Sequence, residues 1–551
     1  MKKILWGSVG LVFLLAGCQS NTTKKEETNK TPEQKVTMAV NQELSSLDST
    51  LATDTYSITV LNNVMEGLYR LDENNQLVPA SAKDVPTVSD DKLTYTINLR
   101  DDLKWSNGDK VTADDFVYGW QKAVNPDTGS EYSGLFAGIK NATEIIEGKL
   151  PETDLGIKAV DETTIEVTME RPVPYFESLL AFPTFFPQNK AFVEKEGKQY
   201  GATNENLIYN GPFVLEDFDG AGTDTEWKLT KNPTYWDKDK VKLDTIVNQV
   251  SKEPSTSVRL FEAGELDDVT LSGELAKQYQ EDEAFTPLPK AGTTYLTFNQ
   301  SEDFFKNKKA RQAVSLVLDR KNITEFILAD GSKEPKGLVP NGMSFSPTDK
   351  KDFADISKPM VKTDIEEAKK LWEEAKKLWE EAKKETGTKE ITFDLLSYDD
   401  EVIKKLAEAI QFDIEDKLSG SKVNVNIVPL TAAIEKGRNA EFDLFLFGWG
   451  ADYPDPSSFM ELLTTDSPYN YGKYSNKDFD ELVEKASTTD VTDDEKRWND
   501  YIEAENILTD DAAVSPIFQK AEAKLRNPKL KGIVNHSTGA QFDFKEAYLE
   551  E

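Results

Sequence analysis

The 551-residue sequence predicts a large protein of mixed α/β (α+β) class, and two observations carry that prediction. Strand-like and helix-like segments alternate without a regular βαβ repeat, which favours mixed sheets with packed helices over a single barrel. Hydrophobic residues make up 38% of the chain and aromatic residues 10%, which is enough for a sizeable core and argues against disorder.

Local patterns place individual elements. Alternation of apolar and polar residues predicts strands at 36–40, 93–99 and 164–169. Helical signals predict helices at 112–123, 254–264 and 303–319, the first with Thr112 as N-cap and acidic residues in its first turn.

Residues 366–384 form an internal repeat in which the seven residues EEAKKLW are duplicated. Glu/Lys pairs three and four residues apart predict a helix. Because seven residues is nearly two turns, the second copy should keep Leu371, Trp372, Leu378 and Trp379 on one side. A lengthened surface helix is favoured over a dimerising coiled coil, which needs three or four heptads.

Composition excludes several function classes. The 99 acidic and 65 basic residues give a net charge of −34, which argues against nucleic-acid binding. One Cys and one His, His536, exclude a disulfide framework, a Cys-ligated zinc site and multi-His metal sites. The sequence contains no Walker A loop, no G-x-G-x-x-G after a strand, no HExxH and no G-x-S-x-G. We therefore expect no cofactor, no metal and no enzymatic activity.

The amino-terminal segment predicts export and anchoring. Residues 1–17 have a basic start and a short apolar run, as in a signal peptide. The run ends in Leu15-Ala-Gly-Cys18, which resembles the bacterial lipobox and implies lipidation of Cys18 and a place on the outer face of the cell membrane. A buried structural role for Cys18 is the alternative. Polar residues 18–35 predict a flexible tether.

The stretch 442–460 is the strongest candidate site. An apolar strand at 444–447 runs into Gly448-Trp449-Gly450-Ala451-Asp452-Tyr453. Glycines beside an indole allow another backbone to approach, and Asp452 is placed to pair with a cation. The alternative, equally weighted on residue types, is that Asp452 caps a turn before Pro454 and Trp449 belongs to the core.

A collinear series of motifs extends over nearly the whole body. It comprises SLD (46–48), VMEGLY (64–69), LKWSNGD (103–109), VTADDFVY (111–118), RPVPYF (171–176), NGPF (210–213), NPTYW (232–236), FEAGELD (261–267), ARQA (310–313) and GWGADYPDP (448–456). In their order, these motifs resemble the OppA-like oligopeptide-binding lipoproteins of bacterial peptide ABC importers, members of family 5 of the extracellular solute-binding proteins.

The resemblance implies a periplasmic-binding-protein-like fold. Two lobes, with a third inserted domain, would close by a hinge on an extended peptide. Domain I would comprise 36–65, 189–291 and 522–551, domain II 66–188, and domain III 292–521. A monomer that passes peptides to the membrane permease subunits of an ABC importer is expected.

The resemblance also assigns site residues. Asp452 corresponds to the acidic anchor for the peptide α-ammonium, and Trp449, Gly448 and Gly450 flank the first peptide residues. Tyr132 and Tyr295 match tyrosines that face the ligand in the family. Thr53 and Thr55 match positions where the backbone of the amino-terminal lobe contacts the peptide. Core or turn roles remain equally open for these tyrosines and threonines. Ile403, Gly437 and Leu446 stand where short-peptide members carry cations, so a fixed anchor for the peptide carboxylate is not expected.

Other functions remain as alternatives. Within binding, these are a receptor for one signalling peptide such as a pheromone, or a nickel, sugar or dipeptide receptor, since one fold hosts many ligands. The lone His536 and the presence of Asp452 favour a peptide. A secreted hydrolase or an adhesive surface protein are alternatives from other classes.

Overall fold

The computed structural model describes residues 34–73, 76–383, 390–451 and 453–550. The predicted signal peptide, Cys18 and Asp452 lie outside the described residues. The predicted tether of 18–35 is too long by two residues, because Lys35 opens the first strand and Gln34 is tied to the folded body. The side-chain oxygen of Gln34 accepts from the backbone N–H of Leu549 at 2.9 Å, and its Nε2 donates to the Leu549 carbonyl at 3.1 Å.

The strands are short except for two. They are β1 (Lys35–Val40), β2 (Tyr69–Leu71), β3 (Leu77–Pro79), β4 (Thr87–Val88), β5 (Thr94–Asn98), β6 (Ile157–Asp161), β7 (Thr164–Thr168), β8 (Phe213–Glu216), β9 (Glu226–Lys231), β10 (Thr245–Val250), β11 (Asp268–Leu271), β12 (Phe285–Phe298), β13 (Ile391–Tyr398), β14 (Ser421–Val428), β15 (Leu444–Gly450), β16 (Val514–Arg526), β17 (Leu530–Lys531), β18 (Val534–Asn535), β19 (Phe542–Asp543) and β20 (Tyr548–Leu549).

Helices lie between them throughout the chain. They are α1 (Thr55–Val64), α2 (Ala113–Val124), α3 (Ala142–Ile146), α4 (Phe176–Leu179), α5 (Lys190–Glu196), α6 (Pro254–Glu262), α7 (Gly273–Tyr279), α8 (Lys308–Val317), α9 (Arg320–Asn322), α10 (Phe353–Ile356), α11 (Ile365–Lys383), α12 (Glu401–Lys417), α13 (Leu430–Arg438), α14 (Ser457–Met460), α15 (Lys477–Ser487) and α16 (Asp494–Asp511), with a π-helix at Ile323–Leu328.

One ten-stranded sheet runs through the protein in the order β14-β13-β15-β12-β16-β11-β1-β10-β9-β8. It mixes parallel pairs, such as β1 with β10, and antiparallel pairs, such as β12 with β16. The two long strands β12 and β16 lie at its centre and pair with each other. A separate four-stranded antiparallel sheet, β4-β5-β7-β6, lies within residues 87–168. The mixed α/β class is confirmed.

Most of the predicted elements are confirmed. The strands at 36–40, 93–99 and 164–169 correspond to β1, β5 and β7, and two of the helices correspond to α2 and α6. The third helix was predicted from 303 but begins at Lys308. Its start is fixed by Asn307, whose side chain accepts from the backbone N–H of Lys309 at 3.0 Å.

Helix α2 begins at the capping box that Thr112 predicted. The backbone N–H of Thr112 donates to Asp115 Oδ2 at 2.8 Å, and the indole N–H of Trp105 donates to the same oxygen at 3.3 Å. Burial raises the pKa of Asp115 to about 6.

The duplicated segment forms helix α11, but its two copies differ in burial. Trp372 is fully buried against Phe304, at 5.2 Å between ring centroids, and its indole N–H donates to the Ser419 carbonyl at 2.9 Å. Leu378 is 46% exposed, whereas its counterpart Leu371 in the first copy packs against the core. The second copy lies about 10 Å further along the axis, where Trp379 alone still reaches Phe304.

Residues of two motifs, VMEGLY (64–69) and NPTYW (232–236), meet Arg70 and Asp543 in a buried set of polar side chains, which we call the Arg70 network. Its members are Glu66, Arg70, Tyr235, Trp236 and Asp543. Arg70 donates to Asp543 at 2.7 Å and to Glu66 at 3.3 Å. Glu66 also accepts from the Tyr235 hydroxyl and, at 2.6 Å, from the Trp236 indole. These motif residues therefore stabilise the fold.

Candidate functional site

Strand β15 carries the candidate site and is longer than predicted. It was expected to end at Phe447 but continues to Gly450. Every residue from Leu444 to Gly450 pairs with β12, ending at the pair Gly450 and Gly292. The glycines are held in the strand because the neighbouring backbone, rather than side-chain packing, fixes them.

The other edge of β15 is only partly covered. Strand β13 pairs with it at Leu444 and Phe445. The Ser397 hydroxyl then donates to the Leu446 carbonyl at 3.1 Å, so that carbonyl points away from β12. Because backbone groups alternate along an antiparallel strand, Gly448 and Gly450 present theirs on the same outer side. Among the described residues, none pairs with that side beyond Leu446, and we call Phe447–Gly450 the β15 edge.

The two glycines of this edge differ in their surroundings. A Cβ on Gly448 would lie 3.0 Å from the Thr293 carbonyl oxygen and 3.1 Å from Thr294 Oγ1. A Cβ on Gly450 would meet no heavy atom within 4 Å. The strand therefore ends with its backbone facing open space, where another chain can approach closely.

Trp449 is half-buried between these glycines. Its ring lies 5.1 Å from that of Tyr469 at an interplanar angle of 61°. Its indole N–H is buried and has no acceptor among the described residues. A buried donor without an acceptor costs about 1–3 kcal/mol, which a ligand oxygen would recover. The indole therefore supplies a donor that a ligand can use.

A cavity of about 710 Å³ opens beside Trp449. Tyr453, Tyr469 and Ser458 contribute to its wall, together with the acidic side chains of Glu461, Asp466, Asp480 and Glu484. A space of this size holds a side chain together with water.

Tyr295, predicted to face the ligand, lies opposite Phe447 on β12 and is 7% exposed. Burial raises its pKa well above the usual range. It packs in an apolar cluster with Val339 and Phe459. In this structure the residue occupies the core role left open for it.

The three remaining predicted residues are Thr53, Thr55 and Tyr132. Thr55 is the exposed first residue of α1 and Thr53 is half-buried just before it; Asp54 caps this helix and accepts from Tyr56 N at 3.0 Å. Tyr132 packs edge-on against Phe182, at 5.2 Å between centroids. None of these threonines or tyrosines lines the cavity at Trp449. Gly448, Trp449 and Gly450 are consecutive in β15, and Thr53, Thr55 and Tyr132 do not line the cavity beside Trp449.

Ile403, Gly437 and Leu446, which stand where short-peptide members carry cationic side chains, have no space for such a side chain. Leu446 is fully buried and Ile403 is 7% exposed. A Cβ on Gly437 would lie 2.8 Å from the Phe445 ring. Each position is packed as apolar core.

Sequence reasoning missed Tyr453, which directly follows Asp452. Its ring stacks on that of Tyr175 at 3.8 Å and 10°, and burial raises its pKa well above the usual range. It thereby joins the site to the part of the chain that carries the four-stranded sheet. Its only sequence signal was its position next to the candidate anchor.

Comparison with known proteins defines the class. Residues 76–471 match the family described as bacterial extracellular solute-binding proteins, family 5, middle part. The chain therefore belongs to this family, which indicates a place outside the cytoplasm. No described helix is long and apolar enough to cross a membrane.

Individual relatives extend the match to the whole chain. The dipeptide-binding protein of Lactococcus lactis is 38% identical over 95% of this chain and 96% of its own. The structure of Listeria monocytogenes OppA bound to peptide is 39% identical, with a TM-score of 0.71, over 94% of this chain and all of that one. The pheromone receptor PrgZ is 40% identical, with a TM-score of 0.72, over the same shares.

A third solved structure is similar at lower identity. The unliganded open form of the murein tripeptide-binding protein MppA is 29% identical over 94% of this chain and 98% of its own, with a TM-score of 0.79.

Proposed function

We propose that this protein captures oligopeptides outside the cytoplasm and delivers them to the permease of an ABC importer. The observation that carries this proposal is the β15 edge, whose outward backbone groups at Gly448 and Gly450 have no partner among the described residues. The names of similar proteins, a dipeptide-binding protein and a peptide-bound OppA, support it.

The peptide binds as an added strand. Its N–H and C=O groups pair with those of Gly448 and Gly450, and one of its carbonyls accepts from the Trp449 indole. Hydrogen bonds to the peptide main chain do not depend on its side chains, so one site can bind peptides of many sequences. The cavity beside Trp449 holds a side chain with water that adapts to its shape.

Asp452 takes the peptide α-ammonium. Its place in the sequence supports this role, since it follows the β15 edge by two residues. Thr53, Thr55 and Tyr132 reach the peptide when the lobes close, and Tyr295 supports the strand from behind. Asp452 fixes the amino end, and the apolar packing at Leu446, Ile403 and Gly437 leaves the far end in water.

Closure is a hinge motion of three domains, with I at 36–65, 189–291 and 522–551, II at 66–188 and III at 292–521. These boundaries cut the two long central strands, β12 after 291 and β16 after 521, so two adjacent strands form the hinge. The permease recognises the closed form.

The protein acts as a monomer without chemistry on its ligand. Residues 1–17 direct export, and lipid on Cys18 holds the body on the outer face of the membrane through the tether. Among nutrient and signalling ligands we favour mixed peptides, because backbone pairing at two glycines selects no sequence.

Calorimetric titration tests this function. A mixture of hexapeptides with free amino groups should bind with saturation, and the same mixture after N-acetylation should bind at least tenfold more weakly, about 1.4 kcal/mol. Native mass spectrometry of the gently purified protein should show co-purifying peptides. Absence of saturable binding would reject the proposal, and equal binding of both mixtures would reject Asp452 as the amine anchor.

A further inference from the structure

One face of strand β16 carries a row of charged side chains. Side chains alternate along a strand, so Lys520, Glu522, Lys524 and Arg526 project from the same face. The pairing of residues 521–525 with β12 is regular, and opposite Lys520 the register shifts between Pro289 and Thr293 of β12. Lys520 is the member of the row nearest the candidate site.

The other members of the row are compensated. Asp268 pairs with Arg526 at 2.6 Å and with Lys524 at 3.2 Å. Glu522 pairs with Lys524 at 3.4 Å and with Lys290, on β12, at 3.3 Å. The buried cations beyond Lys520 therefore each have a carboxylate.

Among the described residues, which do not include Asp452, no hydrogen bond or ion pair joins the Lys520 ammonium group to another group. Burial alone lowers its pKa. An ammonium group held in the protein without an anion is a binding group for one.

The position of Lys520 is at the β15 edge. A Cβ built on Gly292 would lie 3.2 Å from the Lys520 Cδ, 3.2 Å from the Trp449 carbonyl oxygen and 3.6 Å from the Gly450 Cα. Lys520 therefore lies over a part of the sheet where glycines leave the surface bare. Asp452 follows two residues after Gly450.

The same face of β16 looks toward the start of α1. Lys524 lies over the Phe542 ring at 5.1 Å, and the hydroxyl of Thr59 in α1 accepts from the backbone N–H of Gln541, next to Phe542. The part of the chain that carries Thr53 and Thr55 therefore borders the same face of β16 at Lys524.

We propose that Lys520 binds a carboxylate of the ligand close to its amino end. The carboxylate is either the side chain of Asp or Glu in the first residues of a peptide or the terminal carboxylate of a dipeptide. This inference rests on the proposed function and deepens it. It adds a preference for acidic ligands to a site that otherwise recognises only the main chain of the peptide. A strongly acidic protein thus carries a cationic group beside the β15 edge.

Two peptide series test the proposal by calorimetry. The first is an amidated alanine hexapeptide with Glu, or Gln as its neutral match, placed in turn at positions one to six. The second is the dipeptide Ala-Ala as free acid and as amide. Glu should bind about tenfold more tightly than Gln at one of the first three positions and equally at positions five and six. A preference confined to the dipeptide acid would assign Lys520 to the terminal carboxylate.

Variants assign the preference to this side chain. Lys520→Met keeps the stem over Gly292 and should remove the preference while binding the Gln peptides unchanged; Lys520→Arg should retain it. Lys531→Met removes an exposed lysine of β17 and serves as the matched control. Melting temperatures of all variants, measured without ligand, show that they fold.

The possible results distinguish failure of this inference from failure of the proposed peptide-binding function. If Gln peptides bind and Glu confers no advantage, or if Lys520→Met weakens acidic and neutral peptides equally, Lys520 is not a ligand-carboxylate group while peptide capture stands. If no peptide binds, both fall.

Discussion

The Arg70 network and the β15 edge both contain motif residues, but their polar groups differ in hydrogen bonding. In the network, Arg70 and Glu66 find all their partners inside the protein. At the β15 edge, the Trp449 indole and the outer backbone of two glycines find none among the described residues. Motif residues therefore differ in role, since some are paired inside the protein and others leave an open strand edge.

The largest effect is expected from breaking the network. Arg70→Met leaves Glu66 and Asp543 as buried carboxylates without their cation, so the free energy of unfolding should fall by about 3–5 kcal/mol. Denaturant unfolding followed by tryptophan fluorescence measures it.

The matched control is Lys83→Met, which breaks an exposed pair with Asp101 and should cost less than about 1 kcal/mol. Peptide affinity at low temperature should be unchanged in both. If Arg70→Met lost peptide affinity but kept normal stability, Arg70 would have a role in binding rather than in folding.

The second effect concerns the site. Asp452→Ala should weaken binding of free-amine peptides by about two to three decades, since one partner of a charge pair costs about 3–5 kcal/mol. The melting temperature of the unliganded protein should not fall. N-acetylation of the ligand should weaken wild-type binding to the same extent and add little in the variant; additive losses would mean that Asp452 acts elsewhere.

The third effect is a change of the unfolding free energy with pH that comes from Asp115, a buried carboxyl group with hydrogen-bond donors around it. The pKa of Asp115 is raised to about 6 from 3.8 because burial disfavours its charge. Its contribution to stability is therefore complete below pH 3.8 and is lost as the pH rises through about 6, by at most about 3 kcal/mol.

Asp115→Asn lacks this titration. The unfolding free energy of the variant relative to wild type should rise between pH 4 and pH 7, as measured by urea unfolding at each pH. A constant difference over this range would show that Asp115 stays ionised in the folded protein.

A smaller effect is expected at Trp449. Trp449→Phe removes the donor and keeps an aromatic ring, so peptide affinity should fall by about 1 kcal/mol, roughly fivefold, without loss of stability. Trp372→Phe is the opposite control: it removes a donor that is already used and should destabilise the protein without changing affinity. If Trp449→Phe instead destabilises the free protein, its indole has an internal acceptor.

The smallest effect is expected at the far end of the ligand. Amidation of a hexapeptide carboxyl terminus should change affinity less than about twofold, and hexapeptides should bind at least as well as tripeptides. Titration from three to ten residues, each as acid and amide, measures this. A strong preference for short free acids would place a second cation at the distal end.

Sequence by itself determined the class and most elements, and it predicted a site at 448–453. Local signals suffice for these: alternation for β5, a capping box for α2, helix-forming repeats for α11, and the unusual run 448–453 for the site. The assignment to the family of extracellular solute-binding proteins is confirmed as well.

Tertiary structure alone decided what each motif residue does. Residues distant in sequence, such as Glu66 and Tyr235, satisfy one another, and no local pattern reports that pairing. The continuation of β15 through its glycines depends on β12, and among the described residues the pairing of Lys524 and Arg526 with Asp268 depends on strands that are distant in sequence. Periodicity records which face of an element is apolar, whereas the pairing of polar groups depends on contacts that only the folded chain makes.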